Sequence, residues 1–154
     1  MATWSEIEQA EPEFAGRVLA RFETGRHKTI ATLRVDGSPR ISGIEADFVD
    51  GELRMGSMPN SRKAADLHRD PRFALHGLTG NPPVGEEASW LPEAKISGRV
   101  RPGGDIVDDD GNVQGEWFFA DIAEVALTGL NSDATMLRIE WWNVDDGLRS
   151  IERA

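Results

Sequence analysis

The sequence predicts a mainly β fold, a small antiparallel barrel with flanking helices. Asp36-Gly37 and Asp50-Gly51 separate three extended segments that are rich in β-branched and apolar residues. Asp-Gly between extended runs is the strongest short-range signal for a β-hairpin, because glycine accepts the positive φ of a type I′ turn. Since further extended segments follow and few stretches show helical spacing, we expect six to eight antiparallel strands in a partly closed barrel.

The N-terminal part is predicted to be helical. Residues 4–24 place apolar side chains near helical spacing, with Ser5 as the N-cap and Gly25 at the end. Pro12 is expected to kink this helix or to split it in two. We therefore expect one domain, 1–154, in which the helical residues 1–26 cover one end of a barrel formed by 27–154.

The remaining chain alternates extended segments with turns. Residues 80–93 and the acidic stretch 102–115 are predicted to be loops because they are rich in Gly, Pro or Asp. The Asp108–Asp110 run is interpreted as a solvated turn, since an EF-hand loop would have its first and last ligands at Ile106 and Trp117. The predicted strands are 29–35, 40–49, 52–57, 72–78, 94–101, 116–128, 135–142 and 148–151.

The composition limits the partners. With 17 basic and 27 acidic side chains, the formal charge of -10 argues against nucleic acid or an anionic membrane as the main partner. The absence of Cys excludes a thiol nucleophile or a thiolate metal site, and no histidine spacing typical of a metal site is present. No apolar run approaches the roughly 20 residues of a membrane span, and the N-terminus lacks signal-peptide features, so we expect a cytoplasmic protein.

A short helix after the third strand carries the main functional signal. Asn60 or Ser61 is a suitable N-cap, and Arg62 and Lys63 follow in the first turn. That end of a helix normally prefers acidic residues, so two adjacent cations there favour a bound anion such as phosphate. The alternative is that both side chains point into solvent.

Residues on the neighbouring strands are predicted to join this anion site. Arg40 and Ser42 begin the second strand, and Ser57 ends the third. Because these strands are adjacent in a meander, their side chains are expected to approach Arg62 and Lys63 around one phosphomonoester.

Adjacent tryptophans on a late strand predict a further contact. Trp141 and Trp142 must face opposite sides of the sheet, so that one can join the core. The other needs a second subunit or a planar ligand to cover it.

The segments ATLRVDGSPRIS (31–42) and GELRMGSMPNSRKAADLHRDPRFAL (51–75) resemble the pyridoxamine 5'-phosphate oxidase-like FMN-binding split-barrel family. The C-terminal segments 118–130 and 137–142 resemble the later strands of its flavin and deazaflavin oxidoreductase group. The resemblance implies a homodimer of six-stranded antiparallel split barrels, with one cofactor at each of two sites across the interface. It also implies two-electron or hydride transfer to or from a small-molecule substrate.

The resemblance implies a set of cofactor-binding residues. Arg62 and Lys63 would hold the FMN phosphate with Ser57 nearby, and strand residues 40–43 would follow the ribityl chain and ring edge. Trp141 or Trp142 of the partner subunit would lie close to the flavin. The complete predicted set is Arg40, Ile41, Ser42, Gly43, Gly56, Ser57, Ser61, Arg62, Lys63 and Trp141.

Two of the departures from the family pattern bear on the expected reaction. Many relatives have Pro and a bulky aromatic residue where Gly43-Ile44-Glu45 stand here, which places the Glu45 carboxylate near the expected ring pocket. The chain also lacks the C-terminal Arg/His signature of true pyridoxamine phosphate oxidases. We therefore expect a reaction other than vitamin B6 oxidation.

Two alternatives keep the same fold. One is a reductase that uses the deazaflavin coenzyme, whose acidic tail would contact Arg26 and Arg40. The other is a flavin or tetrapyrrole carrier or sensor without turnover, because only His27 and Glu45 qualify as a general acid or base near the site.

Overall fold

A computed structural model describes residues 1–154 and confirms the mainly β fold. The three helices are α1 (Trp4–Ala10), α2 (Pro12–Phe22) and α3 (Arg62–Arg69). A short 3-10 turn covers Glu87–Ser89. The eight strands are β1 (His27–Leu33), β2 (Pro39–Val49), β3 (Glu52–Ser57), β4 (Arg72–His76), β5 (Glu93–Val107), β6 (Val113–Leu130), β7 (Leu137–Asn143) and β8 (Gly147–Arg153).

Six of the strands close into an antiparallel barrel. The sheet order is β3-β2-β1-β4-β5-β6-β7-β8, and a second pairing joins β3 to β6. That pairing places Met55 opposite Phe118 and Ser57 opposite Glu116. Strands β7 and β8 continue the sheet beyond the barrel, along the far part of β6. The predicted six-stranded split barrel is therefore confirmed.

Both predicted hairpins are present, but their turns differ. At the β2–β3 turn, Asp50 and Gly51 have φ values of 52° and 79°, as a type I′ turn requires. At the β1–β2 turn only Gly37 has a positive φ, of 82°. The Asp36 carboxylate there accepts a hydrogen bond from the Ser38 amide at 2.9 Å, so the side chain fixes this turn and the type I′ geometry expected for it is wrong.

The N-terminal helix is split in two. The break falls at Glu11, directly before Pro12, because proline suits the first turn of a new helix better than the interior of one. Thr3, not Ser5 as predicted, caps α1 through a capping box with Glu6. The second helix ends at Phe22, three residues before the predicted stop at Gly25.

Both N-terminal helices pack onto the barrel core. The side chains of Trp4, Phe14 and Phe22 are almost completely buried. The Trp4 and Phe22 rings lie 4.6 and 5.8 Å from the ring of Phe48 on β2. Trp142 joins the same core. None of the helices is long and apolar enough to cross a membrane.

The acidic stretch 102–115, predicted to be a loop, is part of a long hairpin. Strand β5 continues to Val107 and β6 begins at Val113, with register shifts around Pro102. The Asp108 carboxylate organises the turn by accepting from the amides of Asp110 at 3.0 Å and Asn112 at 2.8 Å. The prediction was wrong because the Pro, Gly and Asp residues, which usually interrupt strands, are here absorbed by bulges and by the turn. We call residues 105–115 the β5–β6 arm.

Candidate functional site

A cavity of about 380 Å³ lies where β2, β3 and β6 meet the first turn of α3. We call it the glycine cavity, because backbone at two glycines forms part of its wall. It is lined by His27, Gly43, Ile44, Glu45, Gly56, Ser57, Met58, Lys63, Ile106, Gln114 and Trp117.

Gly43 leaves its part of the cavity wall without a side chain, and Gly56 lets an aromatic ring pack against the strand backbone. A Cβ atom at Gly43 would meet no other atom within 4 Å, so that its side of β2 is open space. At Gly56 a Cβ atom would lie 3.1 Å from the Trp117 ring, which packs directly over this glycine. Bare backbone beside an aromatic ring is a surface that a planar ligand can approach closely.

Trp117 is a cavity residue that the sequence analysis did not identify. It lies on β6, and the Arg54 guanidinium stacks on its ring at 4.1 Å. Arg54 in turn forms a bidentate pair with Asp47, with N–O distances of 3.0 and 2.8 Å. This arrangement fixes the ring in place. Trp117 begins a run of three aromatic residues, and strand alternation alone does not indicate which of them lines a cavity.

The first turn of α3 forms one end of the cavity. Ser61 is the N-cap and accepts from the Ala64 amide at 3.1 Å, and its hydroxyl lies 2.6 Å from that of Ser57. Lys63 is half-buried and lines the cavity, whereas Arg62 beside it is exposed. The ion pairs of α3 use Asp66, His68 and Arg69, and neither first-turn cation takes part in one. Two unneutralised cations thus accompany the helix amides at this end.

Arg40 lies away from the cavity, contrary to the predicted convergence. Its Nε donates to the buried Asp66 carboxylate at 2.7 Å, and Thr32 and Arg69 donate to the same carboxylate at 2.8 and 3.0 Å. Burial alone would raise the pKa of Asp66, but these hydrogen bonds outweigh it and hold that pKa below its ordinary value. Arg40 is therefore engaged by the inner face of α3.

Four of the ten predicted residues line the cavity, and the other six lie elsewhere. Ile41 is exposed on β2, Ser42 is half-buried on the same strand, and Trp141 lies half-buried on β7; none of them lines the cavity. Arg40 pairs with Asp66, and Ser61 and Arg62 belong to the start of α3. The residues that do line the cavity are Gly43, Gly56, Ser57 and Lys63. The role of the whole set in cofactor binding stays a prediction.

One potential proton-transfer pair borders the cavity. His27 and Glu45 are cross-strand partners on β1 and β2, and His27 Nε2 lies 3.5 Å from Glu45 Oε1. Their side chains are 75% and 58% exposed, so a ligand in the cavity can reach both. No group of His, Cys, Asp and Glu side chains is arranged to hold a metal ion.

A second cavity, of about 520 Å³, adjoins the first and shares Glu45 and Trp117 with it. Its wall includes Lys28, whose ammonium donates to the carbonyls of Gly25 at 2.6 Å and Ala46 at 2.8 Å. Burial lowers the pKa of Lys28 below its ordinary value. The two cavities therefore lie side by side, with Glu45 and Trp117 common to both walls.

Comparison with known proteins identifies the fold. No family model and no curated protein sequence matches the chain. Among solved structures, a pyridoxamine 5'-phosphate oxidase-related, FMN-binding protein from Nostoc punctiforme matches with a TM-score of 0.66 and 12% identity, covering 96% of this chain and 99% of that one. PhzG from Burkholderia lata, solved in complex with tetrahydrophenazine-1-carboxylic acid, matches with a TM-score of 0.63 and 13% identity, over 97% and 92% of the two chains.

A heme-binding protein from Mycobacterium smegmatis shares the fold more distantly. Its TM-score is 0.52 at 14% identity, and the match covers 99% of this chain but 60% of that protein. These identities are low, so that the likeness concerns the fold alone. The chain therefore has the fold of the pyridoxamine 5'-phosphate oxidase-like split barrels, as its sequence resemblance predicted.

Proposed function

We propose that this protein is an FMN-binding oxidoreductase that transfers two electrons to or from a small molecule. The observation that carries the proposal is the glycine cavity, which combines a bare-backbone wall, an aromatic side chain and a cationic helix start. A flavin mononucleotide has the matching parts, a planar ring system and a phosphate at the end of a short chain. The FMN-binding neighbour of the same fold supports this choice of ligand.

The residues present fit such a ligand. Lys63, Arg62 and the free amides at the start of α3 would hold the phosphate, with the Ser57 hydroxyl as a further donor. The open space beside Gly43 leaves room for a ring against the strand backbone, and Trp117 would shield one edge of that ring from water.

Bound FMN would supply the two-electron chemistry, and this chain would supply binding, orientation and proton control. His27 and Glu45 are the groups that can hold a proton beside a substrate, because both border the cavity and are exposed towards it. Ile106 and Trp117, which line the same space, would reduce the access of water to a bound ring.

We further propose that the protein works as a homodimer. Leu137, Ile139 and Trp141 lie on one face of β7, and Ile151 of β8 is the cross-strand partner of Ile139. All four are exposed or half-buried in the single chain. A contiguous apolar strip of this kind is typical of a surface that another subunit covers.

A binding titration tests the proposal. We expect purified protein to bind FMN tightly, as followed by flavin fluorescence. Arg62→Glu/Lys63→Glu should weaken FMN binding by about 100-fold or more, because two charge-assisted contacts of roughly 1.5–3 kcal/mol each are lost. The matched control is Lys95→Glu/Arg99→Glu, which reverses two exposed charges on β5 that line neither cavity.

The outcomes separate the alternatives. Unchanged FMN affinity in the double charge reversal would contradict the phosphate assignment. Tighter binding of the deazaflavin coenzyme than of FMN would identify a deazaflavin-dependent reductase. Stopped-flow experiments measure the rate at which NADPH reduces the bound flavin. Reduction as fast as a plausible turnover supports an enzyme, whereas slower reduction supports a carrier.

A further inference from the structure

We propose that Asp66 is a positioning residue, which holds the first turn of α3 at the distance from the glycine cavity that phosphate recognition requires. This inference rests on the proposed function and concerns the chain's own residues that stand behind the phosphate site. In this proposal Asp66 positions the helix. Arg40 holds the Asp66 carboxylate and does not contact the phosphate directly.

The Asp66 carboxylate is buried, with a side chain only 4% exposed, and both of its oxygens are used. Oδ2 accepts from Thr32 Oγ1 and Arg40 Nε, and Oδ1 accepts from the Arg69 guanidinium. A buried carboxylate with a full set of charge-assisted partners has one favoured geometry, because any displacement leaves a donor or an acceptor unsatisfied.

The donors come from the barrel wall. Thr32 on β1 and Arg40 on β2 are cross-strand partners in register, so they approach Asp66 from two adjacent strands. Arg69 adds a contact from the last turn of α3 itself. The network therefore fixes the inner face of the helix to the sheet from which the cavity is built.

Two further polar contacts hold α3 on its other sides. The Ser61 cap touches Ser57 on β3, with 2.6 Å between their hydroxyl oxygens, and His68 Nε2 lies 2.7 Å from a Glu116 oxygen on β6. Strands β1, β2, β3 and β6 thus all contribute a polar contact to one eight-residue helix. None of these contacts uses the cations or the free amides of the first turn, which remain for a ligand.

The test compares FMN with riboflavin, which lacks the phosphate. The ratio of the riboflavin Kd to the FMN Kd measures phosphate recognition alone, since both ligands present the same ring. In Asp66→Asn we expect this ratio to fall by about tenfold or more, the factor expected when one charge-assisted phosphate contact is lost. Riboflavin affinity should stay within about twofold of wild type, because the ring contacts do not depend on α3.

Glu140→Gln is the matched control. Glu140 is also a buried carboxylate that accepts two hydrogen bonds from an arginine, Arg17, but it lies on β7 and borders neither cavity. Both variants should lower thermal stability, and only Asp66→Asn should change the ratio. Thr32→Val removes a single donor to Asp66 in a nearly isosteric way, and it should also lower the ratio. It serves as the test if Asp66→Asn does not fold.

The failures of the two proposals are distinguishable. If wild type discriminates FMN from riboflavin and the ratio is unchanged in Asp66→Asn and Thr32→Val, the positioning role is refuted and the phosphate site stands. An equal fall in Glu140→Gln would also refute it, since the effect would then follow general stability. If wild type binds FMN no tighter than riboflavin, the phosphate site itself is refuted and the positioning role with it.

Discussion

Gly43 is the single position at which an added side chain tests the cavity most directly. Its φ is not positive, and a Cβ atom there would meet no protein atom within 4 Å. We expect Gly43→Val to raise thermal stability slightly, because glycine in a strand costs about 0.5–1 kcal/mol. The same change should weaken FMN binding by more than tenfold, since the side chain would fill space that the ring needs.

Gly43→Ala provides the graded comparison for this prediction, with a smaller loss of affinity at a similar gain in stability. Thr29→Val is the control, because Thr29 is the exposed cross-strand partner of Gly43 on β1 and does not line the cavity. Flavin fluorescence titration and thermal unfolding give the two readouts. Retained FMN affinity in Gly43→Val would mean that the ring lies elsewhere.

Some residues that line the glycine cavity are predictable from the sequence and others are not, for physical reasons. Lys63 and Ser57 were predicted because they are close to the helix start in sequence, where local rules for capping and dipoles apply. The Arg40–Asp66 pair joins residues 26 positions apart. It depends on how α3 packs against β1 and β2, so no local pattern indicates it. Trp117 was missed for the same reason, since its role depends on closure of the barrel between β3 and β6.

The link between α2 and β7 makes stability depend on pH. Arg17 donates to both oxygens of Glu140 at 2.7 Å, and these hydrogen bonds hold the pKa of Glu140 below its ordinary value of 4.5. A lowered folded-state pKa gives stabilisation that is complete above the unfolded pKa and is lost as the pH falls through the folded one. Glu140→Gln should therefore lower the free energy of unfolding by about 2 kcal/mol at neutral pH.

The difference in the free energy of unfolding between wild type and Glu140→Gln should shrink as the pH falls below about 4.5. Urea unfolding at pH 7, 5, 4 and 3 measures it. Glu13→Gln is the comparison, because Glu13 also pairs with Arg17 but its side chain is 78% exposed, so its effect should be small at every pH. A difference that stays constant down to pH 3 would show that the charge of Glu140 does not contribute.

The β5–β6 arm supplies one wall of the glycine cavity through Ile106 and Gln114. Its turn is held by Asp108, which also accepts from the side chains of Asn112 and Gln114. We expect Asp108→Ala to increase amide hydrogen exchange in residues 105–115 and to weaken FMN binding a few-fold, because that wall loses its fixed position. Asp109→Ala is the control at the neighbouring position of the same turn. Equal exchange in wild type and Asp108→Ala would show that the strand pairing alone holds the arm.

Elements with strong local signals were predicted well, and elements that depend on distant pairing were not. The strand bounds of β3 agree with the prediction, since an Asp-Gly turn and a helix cap mark its two ends. The arm was predicted to be a loop because its pairing partner, not its composition, makes it a strand. The break at Pro12 was foreseen as one of two outcomes, and the structure shows the split.

At the scale of the whole molecule, the apolar strip on β7 and β8 predicts the oligomeric state. We expect wild type to elute with twice the 16.9 kDa mass of the chain in size-exclusion chromatography with light scattering. Trp141→Glu places a charge within the strip formed with Leu137, Ile139 and Ile151, and burying that charge in an interface is costly. This variant should therefore be a monomer at micromolar concentration.

The same variant tests whether the interface completes the cofactor site. If a second subunit covers the glycine cavity, FMN affinity should fall by about tenfold or more in the monomeric variant, because contacts and water exclusion are lost together. Val35→Glu is the control, since Val35 is 83% exposed in the β1–β2 turn and lies outside the strip. A monomeric wild type that binds FMN tightly would refute the dimer. A dimeric Trp141→Glu variant would place the interface on another face of the barrel.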